Sequence, residues 1–513
     1  MKMTLIADPK NPAEEIYNTI AENCEFYKDQ SGKPYLIFYN ATGYNLYYLS
    51  SKNSALSFIR RKVFDVYNRA VKRADIQIAF DTVCANAEEI TDTVPVATRI
   101  CDVDSTIYYN LGNTKGEIVK ISASKPSIVA SKKVKKVFFK DLLSAKEQKR
   151  PEVNRKYGLL DFIKEFTNVS EHQKILLAVY ICSAFLPNIP HPIIIADGEK
   201  GAGKTTFVRL LNNLIYPSNN DVFVLPDRTE NLITTLSNNY FVAFDNLGKL
   251  SSETLNIFCQ VSTGGTLAKR QLFTDNSEIS INIKRLLALN GIGLEISQSD
   301  VLDRSIILNL LRIDETQRKS EQDIFDAFNK KTPFILADIF SILSRALAIY
   351  PNLELGKLPR MADFCKWGYA IAEGIKEGLG EKFVEEYKEN ENVATELSVQ
   401  ENPLLESLRE FAKKQDVWKG TPTELLRKLH DSYRQVYISR PLPASFPPTA
   451  NALSRKLNNV SHELSKINID IEIGRGSNRY IKVTKINKNP TVDVADTDES
   501  NSNREILLSS KEK

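Results

Sequence analysis

The stretch from Ile193 to Ile215 constrains this chain more than any other. Four apolar residues, Ile193-Ile194-Ile195-Ala196, are too few for a buried helix and read as a strand covered on both faces. Gly198-Glu199-Lys200-Gly201-Ala202-Gly203-Lys204-Thr205 follows and fits G-x-x-x-x-G-K-[ST], and the helical run Thr206 to Ile215 comes next. In that order, glycines let the backbone curl so that its N–H groups and the helix N-terminus face a phosphate. Lys204 supplies a point charge near the β- and γ-phosphates, and the Thr205 hydroxyl is a ligand for Mg²⁺. Residues 198 to 206, ending at Thr206, are therefore the expected ATP site.

Two further apolar runs end in residues suited to the same pocket. Tyr240 to Phe244 leads into Asp245, the expected acid on the Mg²⁺ side. The next residue is Asn246, which cannot act as a general base, so Glu199 and Glu253 are the nearest carboxylates in sequence that could serve instead. Arg285 to Leu289 leads into Asn290, read either as an amide reaching toward the γ-phosphate or its water, or as half of an Asn-Gly turn with Gly291. Arg304, in Asp300-Val301-Leu302-Asp303-Arg304, is read either as an arginine acting on a neighbouring subunit's nucleotide or as the partner of a local carboxylate.

At 513 residues the chain has room for about two to four compact units. Further short apolar runs at Val222 to Leu225 and Ser305 to Leu310, with helical patterns at Thr229 to Leu236 and Ser252 to Val261, predict an α/β three-layer core over residues 151–312. Residues 1–150 read as a mixed α+β domain with strands at Pro34 to Tyr39 and Ile107 to Leu111. In it, Lys132 to Lys136 reads as the solvated edge of a short strand, with phosphate contact as the second reading. Residues 313–400 read as a helical segment whose charged end, Glu389 to Glu401, is a linker. Residues 401–485 read as three helices and a β-hairpin, and 486–513 as a disordered tail.

The balance of 68 Lys and Arg against 64 Asp and Glu leaves +4, so bulk charge neither demands nor excludes a polyanion. Six cysteines without a C-x-x-C pair read as reduced thiols, and four scattered histidines carry no metal-ligand spacing. The start lacks an apolar signal core, and Ile175 to Leu186 is short of the roughly 20 residues that cross a bilayer. The expectation is a cytoplasmic protein without a membrane partner.

The order of these motifs, with Ser262-Thr263-Gly264-Gly265 and Lys269-Arg270 between the acid and the amide, resembles the superfamily 3-like AAA+ ATPases of phages, plasmids and integrated mobile elements. That family's helicases are often found beside primase modules. Arg99-Ile100 with Ile107 to Gly112 upstream, and Pro359 to Phe364 downstream, extend the likeness over about residues 30 to 485. The resemblance implies an ATP- and Mg²⁺-dependent DNA helicase working in replication as a ring homo-oligomer, a hexamer. It places Lys269 and Arg270 on a basic hairpin against single-stranded DNA in the ring channel. The C-terminal unit resembles a winged helix, which implies duplex DNA contacts from Arg455 and Lys456 on a helix and from Arg475 and Arg479 on the wing, although winged helices also dock proteins. Asn246 departs from the family's usual second acid, and no primase centre is read in the first 150 residues.

Three functions follow: a helicase or translocase, a non-unwinding ATP-switched initiator or regulator, and a small-molecule P-loop kinase. The missing acid leaves room for the second. Asn290, Arg304 and the C-terminal unit speak against the third.

Overall fold

The computed structural model describes residues 11–486 except 42, 50–53, 69, 141–144, 271–277, 292–295, 297, 357, 439–440, 444 and 476–478, with backbone alone at 267–270 and 278–282. The tail expected to be disordered lies outside the described residues. The chain forms two compact units, residues 1–401 and 402–513.

The first unit opens with α1 (Pro12–Asn23), started by the Asn11 side chain accepting from the Glu14 N–H and by Pro12 in the first turn. An antiparallel sheet follows, β1 (Glu25–Lys28), β2 (Pro34–Tyr39) and β3 (Tyr44–Tyr48), then α2 (Ser54–Tyr67) and α3 (Arg73–Glu88). Their shared core runs from Ile16 to Ile90. Next come β4 (Val96–Ala97), β5 (Ile100–Val103), β6 (Thr106–Asn110), β7 (Glu117–Ile121), β8 (Ser127–Ala130) and β9 (Phe138–Phe139), with β5 to β8 forming one antiparallel sheet.

The boundary expected at residue 150 does not separate two cores. Ile107, Tyr109 and Val119 pack in the same cluster as Leu211, Ile194 and Phe340. The expected lysine strand is also absent: residues 131–133 form a 3-10 turn, and Lys136 has a φ of +58°, with Val134 buried between exposed lysines.

After α4 (Leu159–Phe166) and α5 (Lys174–Ser183) the central sheet begins with β10 (Ile193–Asp197). It continues through α6 (Lys204–Ile215), α7 (Thr229–Asn238), β11 (Phe241–Phe244), α8 (Ser252–Thr263), the hairpin β12 (Gly265–Arg270) and β13 (Glu278–Ile283), β14 (Leu286–Asn290), α9 (Ser299–Leu302) and β15 (Ser305–Asn309). The sheet order is β11-β14-β10-β15, all parallel. Period-two alternation sends Ile194, Ala196, Ala243 and Ala288 into one core and Ile193, Ile195, Phe244 and Leu289 into another, so both faces are covered and the core has three layers. Val222 to Leu225, expected as a strand, contributes a single parallel bridge, Phe223 to Phe244, at the sheet edge.

Three helices close the first unit: α10 (Glu321–Ile349), α11 (Ala362–Ile375) and α12 (Leu379–Glu401). The segment Glu321–Asn352 is long and apolar enough to cross a membrane, but it is mostly buried and Leu336, Phe340 and Leu343 join the main core, so it is a core helix. The expected linker at 389–401 is the second half of α12. Phe383, Tyr387, Asn390 and Ala394 recur at helical spacing and are buried, and the charged residues are its solvent face. Asn390 also closes the outer edge of the sheet, accepting from the Ile307 N–H at 3.2 Å and donating to its carbonyl at 2.7 Å.

The second unit runs α13 (Pro403–Ala412), β16 (Val417–Gly420), α14 (Pro422–Val436), α15 (Ala450–Asn459), α16 (Ser461–Lys466), β17 (Ile469–Arg475) and β18 (Arg479–Lys485). Its antiparallel sheet has the order β16-β18-β17. The last of the three helices expected here breaks at Val460 into α15 and α16, and β16 adds a strand to the expected hairpin.

One buried carboxyl joins α12 to α5. Glu386, 5% exposed, accepts from the Leu176 N–H at 2.9 Å in the first turn of α5. Burial pushes its pKa up to about 7, against the lowering effect of backbone N–H groups and Lys382. The folded chain therefore holds a proton that the unfolded chain has released, so this stabilisation is present below the ordinary carboxylate range and is lost as pH rises toward about 7. Thermal unfolding of the wild type should shift to lower temperature across that window, and Glu386→Gln, which keeps an acceptor for α5, should flatten the dependence. An equally steep profile in the variant would assign the pH dependence elsewhere.

Candidate functional site

Strand register places the candidate residues along one edge of the sheet. Ala196 pairs with Asn290 and Phe244 with Leu289, so the loop after β10, Asp245 after β11, and Asn290 at the end of β14 stand side by side at the carboxyl ends of three strands. Lys200 to Thr206 line a cleft there together with Asp245, Asn246, Asn290 and Gly291.

The loop's glycines answer two different demands. Gly201 and Gly203 have φ values of +87° and +73°, which a side chain would strain. Gly198 lies so close to Leu310 that a Cβ would stand 2.5 Å from its carbonyl oxygen. The loop delivers the chain into α6, whose first residues, Lys204, Thr205 and Thr206, line the cleft and have N–H groups without an acceptor in the helix. Lys204 folds back over the loop and donates through Nζ to the carbonyls of Gly198 at 2.6 Å and Glu199 at 3.1 Å.

Thr205, Asp245 and Asn290 form a hydrogen-bonded set. The Thr205 hydroxyl donates to Asp245 Oδ2 at 2.9 Å, and Asn290 Nδ2 donates to Asp245 Oδ1 at 2.5 Å and to the Thr205 hydroxyl at 3.2 Å. The Asp245 backbone is itself fixed, its N–H donating to the Phe223 carbonyl at 3.1 Å. Asn246 turns the chain with a φ of +55° and donates its N–H to Asp245 Oδ1 at 2.8 Å. Gly291 is needed for space: a Cβ there would stand 2.0 Å from the Leu247 carbonyl oxygen.

The donor set suits a hard divalent cation, with one carboxylate and one hydroxyl adjacent to the phosphate-facing loop. Among the described residues no cluster of three or more His, Cys, Asp or Glu could hold a metal by itself, so such an ion would share its ligands with phosphates and water. Asn290 Oδ1 is buried without a protein partner, an acceptor left over beside the cleft.

Neither glutamate considered as a base lines the cleft. Glu199 lies 3.9 Å from Arg312 at an exposed position, and Glu253 accepts from the Thr229 hydroxyl at 2.7 Å. Arg304 is at the other end of the sheet. It precedes β15, whose five residues separate it from the level of the cleft by roughly 16 Å. It donates to the Asp300 carbonyl at 2.9 Å and pairs with the Asp300 carboxylate, which also binds Arg360. Arg360 reaches Asp303 as well, at 3.2 Å. Arg360 was not singled out from sequence, because its partners lie far away along the chain.

A second missed group anchors the far end of α6. The Tyr109 hydroxyl donates to the Ile215 carbonyl at 3.1 Å, and Gln148 Nε2 donates to the Leu214 carbonyl at 2.9 Å. These bonds satisfy carbonyls that the end of a helix leaves open.

The expected DNA contacts fall in two places. Lys269 and Arg270 end β12, opposite Ile279 and Glu278. Their side chains and the turn beyond them lie outside the described residues. In the second unit Arg455 is exposed on α15, while Lys456 donates to the Ser445 carbonyl. Arg475 and Arg479 are exposed and face each other across the hairpin, with Arg479 Nη1 3.5 Å from Asn451 Oδ1.

In sequence, residues 160–377 match the family described as the Actinomycete integrative conjugative element replication protein, and residues 404–500 match the AICE RepA C-terminal domain. No curated protein matches the chain. Among solved structures the chain is similar to SCCmec type IV Cch, described as an active helicase, at 12% identity and a TM-score of 0.44, over 90% of this chain and 93% of that one. It is similar to the apo C-terminal region of NrS-1 at 13% identity and a TM-score of 0.40, over 94% and 100%. Over its central and C-terminal stretches the chain thus resembles a replication protein of an integrated mobile element, in agreement with the element type and the process that its motifs imply.

Proposed function

We propose that this chain is an ATP-dependent DNA helicase or translocase of a mobile genetic element, acting in replication as a ring-shaped homo-oligomer, a hexamer, in the cytoplasm. The observation that carries the reading is the Thr205–Asp245–Asn290 set, hydrogen-bonded beside a glycine loop that opens a helix. Lys204 exchanges its loop carbonyls for the β- and γ-phosphate oxygens of ATP, and the loop N–H groups hold the rest of the phosphate chain. Thr205 and Asp245 would hold Mg²⁺, which when bound would supply charge neutralisation on the phosphates. Asn290 holds the Asp245 carboxylate through Nδ2, and its amide is assigned to the γ-phosphate or its water.

The Arg304 assignment requires a neighbouring subunit. Arg304 lies too far from its own cleft to reach a nucleotide there, and within the chain it is paired with Asp300, the local partner of the other reading, which it would exchange for a neighbour's nucleotide. For DNA, Lys269 and Arg270 are assigned to the ring channel on single strands. The second unit is assigned to duplex DNA: its element order, a helix and a strand, then three helices, then the hairpin that completes a three-stranded sheet, supports the winged-helix reading.

One observation favours an ATP-switched initiator or regulator as the second reading. Asp245 is the one acid among the described residues lining the cleft, so among those residues no second carboxylate stands beside it to activate water.

ATP hydrolysis by the full chain with and without single-stranded and forked DNA separates the two. A motor shows turnover raised by DNA and abolished in Lys204→Ala, while a switch binds ATP without DNA-stimulated turnover. The interface assignment has its own check. Arg304→Ala should lower turnover on the order of 10³-fold with nucleotide binding retained. Mixing it with Lys204→Ala subunits should restore part of the activity, because some interfaces then pair an intact Arg304 with an intact cleft. Wild-type turnover in Arg304→Ala alone would remove that role.

A further inference from the structure

The second unit carries a helix face on which Arg455 is joined by residues that contact with phosphates alone would not call for. The Thr449 side chain starts α15 by accepting from the Ala452 N–H, which puts Asn451 in the first turn. Leu453, Ser454 and Leu457 are buried on one side of the helix. On the other side Asn451, Arg455, Asn458 and Asn459 are all exposed. Their spacing of four, three and one residues puts them on one stripe.

The chemistry of that stripe is selective. A surface built only to follow phosphates gains from cations, and neutral amides release no counterions. Here three of the four positions are asparagine and the fourth is arginine, with no carboxylate among them. Asn and Arg are the side chains that offer two-point hydrogen bonding to the major-groove edges of adenine and guanine. The neighbouring cation, Lys456, is turned away and held by the Ser445 carbonyl. Asn451 to Asn458 spans roughly 10 Å along the helix, about the rise of three base pairs.

Charge and shape choose the occupant. Residues 402–486 hold fifteen Lys and Arg against eight Asp and Glu, while the whole chain carries only +4. The hairpin arginine Arg479 lies 3.5 Å from Asn451, so the wing's cation borders the same stripe. The major groove of B-form DNA admits a helix, whereas that of A-form RNA is too narrow.

We propose that α15 reads base pairs of duplex DNA through Asn451, Arg455 and Asn458, so that the chain selects a particular sequence containing guanine and adenine, with Arg475 and Arg479 holding the flanking phosphates. This rests on the reading of the chain as a DNA-acting protein, and adds that its duplex binding is sequence-specific.

The test is selection of bound duplexes from a library with a random core by the full-length chain, followed by anisotropy on the enriched and an unselected duplex over a salt series. One enriched motif is expected. Arg455→Lys keeps the charge and loses the fork, so discrimination at one G·C pair should fall roughly 5- to 150-fold. Affinity for the unselected duplex and its salt slope should change less than about twofold. Asn451→Ala should relax preference at a different position, again with little change in the salt slope. Because both side chains are exposed, an unchanged melting temperature is expected in each variant. Salt-dependent binding without an enriched motif would overturn base reading and leave the DNA-acting ATPase standing, as would a motif that both variants retain. Absence of any duplex binding would overturn the assignment of this unit to DNA, and DNA-stimulated ATP hydrolysis would still be judged separately.

Discussion

The position of β10 between β14 and β15 governs most of what this molecule can do. Parallel pairing with β14 sets Ala196 level with Asn290, and pairing of β14 with β11 sets Leu289 level with Phe244. A one-residue slip of either pair would turn the apolar side chains to the wrong face and withdraw Asp245 or Asn290 from the loop. Burial on both faces holds the register, because the alternate residues of each strand belong to two separate cores. The same sheet sets the distance between the cleft, at the carboxyl ends of the strands, and Arg304, at the amino end of β15.

Much of the central site could be read from sequence because its parts are local. The strand, the glycine loop and the helix follow one another within residues 193–215, and Asp245 and Asn290 each end a short apolar run. Contacts between segments far apart could not be read in this way. Nothing near Arg360 announces that it pairs with Asp300 and Asp303, nor near Gln148 that it meets the end of α6. Gly291 shows the same limit. Asn-Gly in sequence signals a turn, but here the glycine makes room for the Leu247 carbonyl while Asn290 completes a strand.

The errors in reading the fold have physical causes too. Residues 389–401 look like a linker when judged by charge, yet Asn390 and Ala394 continue a helical stripe begun at Phe383 and Tyr387. Composition reports the solvent face of such a helix and hides the buried one. The boundary expected near residue 150 fails for a related reason. Strands β6 and β7 bury Ile107, Tyr109 and Val119 in the core that also holds α6 and α10, so one core spans residue 150.

We propose that Thr205 and Asp245 hold Mg²⁺ for a nucleotide seated on the Gly198–Thr206 loop. This is tested most directly by measuring the affinity of the full chain for a slowly hydrolysed ATP analogue as Mg²⁺ is added, in the wild type and in Asp245→Asn. Affinity should rise with Mg²⁺ in the wild type, and the variant should keep Mg²⁺-free binding and lose the gain. A variant that retains the full gain, or a wild type indifferent to Mg²⁺, would contradict it.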